Sequence, residues 1–226
     1  MSEQDNYEPP LVWKWKPDSN QAFGNINRPT AGAQQEKELQ VGKHPMQLYS
    51  LATPNGIKVT VMLEELLAKG HSGAEYDAWL VNIGDGSQFD SGFVAANPNS
   101  KIPALIDHSG DKPLRVFESG AILQYVGNKT GRFYPNEQRQ RSDVEQWLFW
   151  QMANLGPKAG ECHHFRLYAA ERLPYAIERF TSEVNRLYGV MDRRLADRAF
   201  LAGRYSIADM ACVGWARYWQ RQGQDI

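Results

Sequence analysis

Cysteine is scarce in this chain: Cys162 and Cys212, fifty positions apart, are its two thiols among 226 residues. Two such thiols exclude both a disulfide scaffold and a Cys-x-x-Cys metal or redox motif. Net charge is nearly absent as well, because 25 Lys and Arg stand against 26 Asp and Glu and leave −1. That balance removes the footprint of a general nucleic-acid binder, although it leaves room for a local basic groove. No apolar run approaches the roughly 18 residues that span a bilayer. The acidic start, Met1-Ser2-Glu3-Gln4-Asp5, lacks the apolar stretch of a signal peptide. The expectation is a cytoplasmic protein of a reducing compartment, with no membrane and no nucleic-acid partner. A core is affordable, since 42% of the residues are hydrophobic and seven are Trp, which excludes wholesale disorder.

Residues 1–45 carry no sustained periodicity and hold Pro9, Pro10, Pro17, Gly24, Pro29, Gly32 and Gly42. They form an irregular arm. Trp13, Trp15 and Phe23 are too apolar for a solvated tail, so the arm is expected to pack onto the body, over its cleft. Short strands are predicted at 46–51, 76–83, 102–107 and 114–118. Between the first two, Val59, Met62, Leu63, Leu66 and Leu67 recur at helical spacing, with Lys58, Glu64, Glu65 and Lys69 off that face and Gly70 as the stop. Ser119 is the expected N-cap of a helix running to about residue 129. The order β-α-β then β-β-α describes an open sheet with helices packed on it.

Strand signals cease at Asn136. Leu173, Ile177, Phe180, Val184, Leu187, Met191 and Leu195 form one apolar stripe on a long helix, preceded by an apolar segment at Trp147, Leu148 and Trp150. Ser206 and Asp209 have the spacing of a capping box, with Tyr205 and Met210 as its hydrophobic staple. The chain thus divides into an arm (1–45), a mixed domain (46–133) and an all-helical domain (136–226).

Ile102-Pro103 opening the third strand, Glu118-Ser119 closing the fourth and the Ser206-Ile-Ala-Asp209 box together resemble the cytosolic glutathione transferases. Narrower segments are Thr53-Pro-Asn-Gly-x-Lys-Val59, Asn97-Pro-Asn-Ser-Lys-Ile-Pro-Ala-Leu105, Phe117-Glu-Ser-Gly-Ala-Ile-Leu123 and Tyr175-Ala-Ile-Glu-Arg-Phe180. These are similar to the bacterial nu class, the glutathione-dependent disulfide-bond oxidoreductases. Phe23-Gly-Asn-Ile-Asn-Arg-Pro29 is similar to the long-armed branch of that class. The resemblance implies an α/β plus all-α fold: a thioredoxin-like, glutathione-binding N-terminal domain and a C-terminal helical domain that ends short at Ile226. It also implies a homodimer, and glutathione as co-substrate with two molecules per site.

Glutathione brings two carboxylates, an ammonium, two amides and a thiol that attacks as thiolate. Backbone N–H groups and the Ser119 hydroxyl at a helix start can receive the γ-glutamyl carboxylate, and Glu118 the ammonium; a plain N-cap beside a solvated acid is the bland alternative. Ile102-Pro103 is an ordinary trans bond by frequency, whereas the resemblance implies a cis bond that turns the Ile102 backbone toward the cysteinyl unit. No Ser, Cys or Tyr stands in the turn 53–56, so the Thr53 hydroxyl and the Asn55 amide are its available donors. Bringing a thiol from about 8.5 to about 6.5 takes about 2.7 kcal/mol. One hydrogen bond to the charged sulfur supplies about 1.5–3 and a helix terminus about 0.3–1. A bare Pro-Asn-Gly turn is the competing reading.

The resemblance further implies Gln88 and Lys101 near the glycyl end of the first glutathione. Asn27 and Arg179 are implied around the active site and a second molecule, and Gln151 within the site. For Arg179 a surface ion pair with a helical neighbour is the alternative. Cys212 has the habit of a small core residue. Cys162 beside His163 and His164 is expected to be incidental rather than a ligand, because adjacent residues rarely converge on a metal, and the two histidines are expected at the mouth of the cleft. The expected activity is reduction of disulfides, with organic hydroperoxides as a second electrophile. A conjugating transferase acting on electrophilic carbon, and a non-catalytic transferase-fold binding module, are the rivals.

Overall fold

The computed structural model describes residues 8–14, 29 and 31–226. Strand β1 (Met46–Ser50) runs into α1 (Pro54–Ala68) through Thr53, whose Oγ1 accepts the Gly56 N–H at 3.2 Å, with Pro54 as first helical residue. That pairing of cap and proline is the usual local grammar of a helix start. Gly70 follows the helix at φ +71°, where a side chain would strain the backbone. Strand β2 (Tyr76–Leu80) pairs parallel with β1, β3 (Ala104–Asp107) pairs antiparallel with β1, and β4 (Leu114–Phe117) antiparallel with β3. The sheet order is β2-β1-β3-β4. Strands β2 and β3 are shorter than their sequence patterns predict. At β3 the cause is local: Pro103 has no N–H to give a ladder. The Ile102–Pro103 bond is cis.

Two features depart from the expected pattern. A short helix α2 (Ser91–Ala96) sits between β2 and β3. Helix α3 (Ser119–Thr130) begins one residue earlier than expected, so Glu118 rather than Ser119 occupies the cap, at φ +68°. With β4 ending at Phe117, one residue must turn the chain. Glu118 takes that unfavourable conformation, and the Ser119 hydroxyl is released from capping.

The helical half starts with α4 (Gln138–Trp150), which continues through a π-turn at Gln151–Leu155 into α5 (Gly156–His163) and a second π-turn at His164–Tyr168. Helix α6 (Pro174–Leu195) buries Val184 and Leu187 of its apolar stripe, with Tyr188 beside them. Helix α7 (Ile207–Ala216) opens on the complete capping box, with Ser206 N–H donating to Asp209 Oδ2 at 2.9 Å. Tyr205 and Met210 pack into one core with α1, α3 and α4. That core spans the two halves, so each half rests on the other. Gly214 shows how closely: a Cβ there would lie 2.2 Å from the Pro54 carbonyl oxygen.

Arm residues 34–42 lie against the body. Gln34 N–H donates to Phe89 O at 2.8 Å, Ser91 N–H to Gln35 O at 2.9 Å, and Tyr49 OH to Gln40 O at 2.7 Å. Trp13 is 65% exposed. Trp15, Phe23 and Asn27 lie outside the described residues. Among the described residues, no helix is long and apolar enough to cross a membrane.

Candidate functional site

A cleft of about 590 Å³ opens between the loops of the sheet domain and helices α5 and α7. Thr53, Asn55, Gln88, Lys101, Ile102, Pro103, Glu118 and Ser119 line one wall; Glu161, His164, Tyr168 and Trp215 line the other. Eight of the eleven residues singled out from sequence therefore meet at one place. Of the other three, Asn27 is outside the described residues. Gln151 is fully buried beneath the cleft rather than on its surface. Arg179 lines a separate hollow of about 570 Å³ with Lys158, Tyr175 and Glu183. Its expected helical ion-pair partner, Glu183, is taken by Arg186 at 2.7 Å.

Three cleft groups share one arrangement: a donor behind each occupies its acceptor side. Thr53 Oγ1 accepts from Gly56 N–H at 3.2 Å. Asn55 Oδ1 accepts from Trp215 Nε1–H at 2.9 Å. Ser119 Oγ accepts from the Lys58 ammonium at 3.3 Å. An indole N–H and an ammonium can only donate. Asn55 must therefore turn its oxygen toward Trp215 and its NH₂ away from it. Thr53 and Ser119 likewise keep their hydroxyl protons to give. The result is a set of donors directed at a ligand carrying negative charge. Gln88 Oε1 and Ser100 Oγ, buried at the cleft, have no hydrogen-bond partner among the described residues. A peptide-like ligand would satisfy them with its N–H groups.

Lys58 is the residue that helical periodicity misplaces. Read as part of the solvated face of α1, it is 1% exposed. Its Nζ donates to Gln151 Oε1 at 2.8 Å and lies 3.4 Å from Met152 Sδ. Burial lowers its pKa to about 8, against the opposing pull of Cys212 and Glu118. A signal was present: Lys58, Met62 and Leu66 are successive i, i+4 positions, and the latter two are core. Trp215 had no local signal, because its partner Asn55 is 160 residues away.

The cysteines stand aside. Cys212 is buried in α7, and burial pushes its thiol up to about 12. Cys162 is fully buried and its pKa is also raised, chiefly by burial. Both shifts oppose thiolate formation. Of the two histidines expected at the cleft mouth, His164 lines it, whereas His163 is buried behind it against the Trp215 ring. Burial, then the Arg221 charge, lower the His163 pKa to about 4, so its ring is neutral at pH 7. Among the described residues, no group of three His, Cys, Asp or Glu could hold a metal ion.

The amino acids at 44–128 match the family model for the glutathione S-transferase N-terminal domain. Over 212 residues the chain is 55% identical to the disulfide-bond oxidoreductase YghU of Escherichia coli strain K12, spanning 93% of this chain and 74% of that protein. The chain belongs to the glutathione S-transferase family. Among solved structures, the glutathione transferase YghU of Streptococcus pneumoniae, complexed with glutathione, is 47% identical. It superposes at a TM-score of 0.91, over 96% of this chain and 84% of that one. A second glutathione transferase, from Burkholderia graminis, has two glutathione molecules bound per subunit. It is 41% identical at a TM-score of 0.72, over 77% of this chain and 72% of that one. The matched segment holds the mixed sheet, and the helical half follows it. The Thr53–Asn55 turn lies at the end of β1, within the matched segment.

Proposed function

We propose that the chain reduces disulfides with glutathione as the source of both thiols. The observation that carries the reading is the Asn55 amide, fixed by Trp215 with its NH₂ turned away from the indole, in a cleft lined by no cysteine. Thr53 and Asn55 hold the first glutathione as thiolate. Ser119, with the start of α3, receives its γ-glutamyl carboxylate, and Glu118 its ammonium. Ile102 and Pro103 meet its cysteinyl unit, and Gln88 and Lys101 its glycyl end. The thiolate attacks one sulfur of the substrate disulfide and displaces the other as a thiolate. A second glutathione thiolate then attacks the mixed disulfide on the first glutathione's sulfur, releasing the second substrate thiolate and oxidised glutathione. Two electrons thus pass from the glutathione pair to the substrate. Asn27 and Arg179 are assigned to the second molecule. An organic hydroperoxide is attacked at its terminal oxygen instead, breaking the O–O bond and releasing the alcohol, and condensation of the resulting sulfenic acid with the second thiol gives oxidised glutathione and water.

The absence of Ser, Cys and Tyr from the 53–56 turn supports the nu class, and the arm supports its long-armed branch. A homodimer in the cytoplasm completes the reading. The test compares two reactions: glutathione-dependent reduction of a small dialkyl disulfide, followed through oxidised glutathione, and conjugation of glutathione to an activated aryl halide. Disulfide turnover should dominate, and conjugation without disulfide turnover would refute the reading. Failure of immobilised glutathione to retain the protein would favour a non-catalytic module instead.

A further inference from the structure

An ammonium buried among neutral partners calls for an explanation. Lys58 has three donors and three acceptors, Ser119 Oγ, Gln151 Oε1 and Met152 Sδ, and none of the three carries charge. A buried cation is normally paired. The titratable groups that face it are Glu118, ahead of α3, and the Cys212 thiol of α7; Gln151 and Met152, from the π-turn, add none. Glu118 is itself exposed. Ser119 and Met152 both accept from the ammonium and line the cleft, but of the two only Ser119 has a proton to give a ligand.

We infer that Lys58 is a positioning residue for the γ-glutamyl carboxylate, holding the Ser119 oxygen so that the hydroxyl proton is given to the ligand. Without the ammonium, Ser119 would be free to donate inward, to Gln151 or to the helix backbone, and would then present lone pairs to an anion. With it, the acceptor now nearest the Ser119 proton is Met152 Sδ at 3.7 Å, a soft partner that a carboxylate oxygen displaces. The bound carboxylate then supplies, through one intervening hydroxyl, the negative charge that the buried ammonium lacks. The π-turn contributes by placing Gln151 and Met152 together at the ammonium, the irregularity in an otherwise α-helical run. The inference rests on the glutathione reading of the cleft and adds a residue that touches no ligand.

The experiment measures binding of S-methylglutathione and of S-methylcysteinylglycine, which lacks the γ-glutamyl group, to the parent, Lys58→Met, Ser119→Ala and the double variant. Disulfide-reductase kinetics are measured alongside. Lys58→Met should weaken S-methylglutathione about tenfold, the loss of one charge-assisted hydrogen bond. It should leave the truncated ligand unchanged, raise KM for glutathione, hold kcat within a few-fold, and add nothing to Ser119→Ala. Equal weakening of both ligands, or full additivity with Ser119→Ala, would overturn the inference and mark Lys58 as a packing residue. A parent protein that does not prefer S-methylglutathione would instead overturn the glutathione reading, and the inference with it. Should Lys58→Met not fold, the parent protein decides. The lysine Cε resonance that titrates near pH 8 should move to higher pH with S-methylglutathione and stay in place with the truncated ligand. A resonance that moves with neither, or equally with both, refutes the role.

Discussion

Replacing Asn55 by Ala isolates the source of the sulfur chemistry. The substitution removes an amide whose oxygen is held by Trp215 Nε1 at 2.9 Å and whose NH₂ is the group left to stabilise a thiolate. A hydrogen bond to a charged partner is worth about 1.5–3 kcal/mol. At about 1.36 kcal/mol per pKa unit, the thiol of bound glutathione should rise by about one to two units. A donor stabilises the anion, so removing it raises the pKa. Turnover should therefore fall roughly ten- to hundred-fold at neutral pH and recover as the pH is raised past the new value. Thiolate absorbance of bound glutathione, titrated alongside disulfide turnover, reads both effects. Trp215→Phe keeps an aromatic side chain but removes the indole N–H, freeing the amide to rotate; the rise should be smaller, below about one unit, because the bond lost is neutral. Thr53, still capped onto Gly56, limits the damage in both variants. An unchanged thiol pKa in Asn55→Ala would refute the reasoning, whatever happens to the rate.

The two cysteines should be dispensable: Cys162→Ala with Cys212→Ala should leave turnover within a few-fold, and the native protein should resist thiol reagents, since burial raises both pKa values. Between pH 6.5 and about 4 the unfolded chain binds a proton at His163 that the folded chain refuses. Stability should therefore fall across that window as pH drops, and His163→Gln should remove about 1–3 kcal/mol of the fall in denaturant titrations, allowing for partial solvent access to the ring. Gly214→Ala would drive a Cβ to 2.2 Å from Pro54 O, so α7 must move off α1. A loss of about 1–3 kcal/mol or more is expected, seen as a lowered Tm, with activity falling too because Pro54 stands between Thr53 and Asn55; an unchanged Tm would show that the helices separate freely.

The sequence by itself determined what depends on near neighbours. The capping box at Ser206–Asp209, the stripe on α6, the Gly70 stop and the Pro54 helix start are each written within a few residues, and all are present in the fold. Motif spacing also brought eight of the eleven candidate residues to one cleft, since those segments sit at the ends of strands that pair with one another. Tertiary structure decided what stands behind each of them. Ser119 meets Lys58 from 61 residues away, Lys58 meets Gln151 from 93, and Asn55 meets Trp215 from 160. No local pattern reports such partners. A lysine at helical spacing looks solvated until another helix covers it, and an asparagine in a turn looks free until an indole fixes which end of its amide faces the ligand. Side-chain type belongs to the sequence, but the direction of a proton belongs to the groups that long-range packing brings against it.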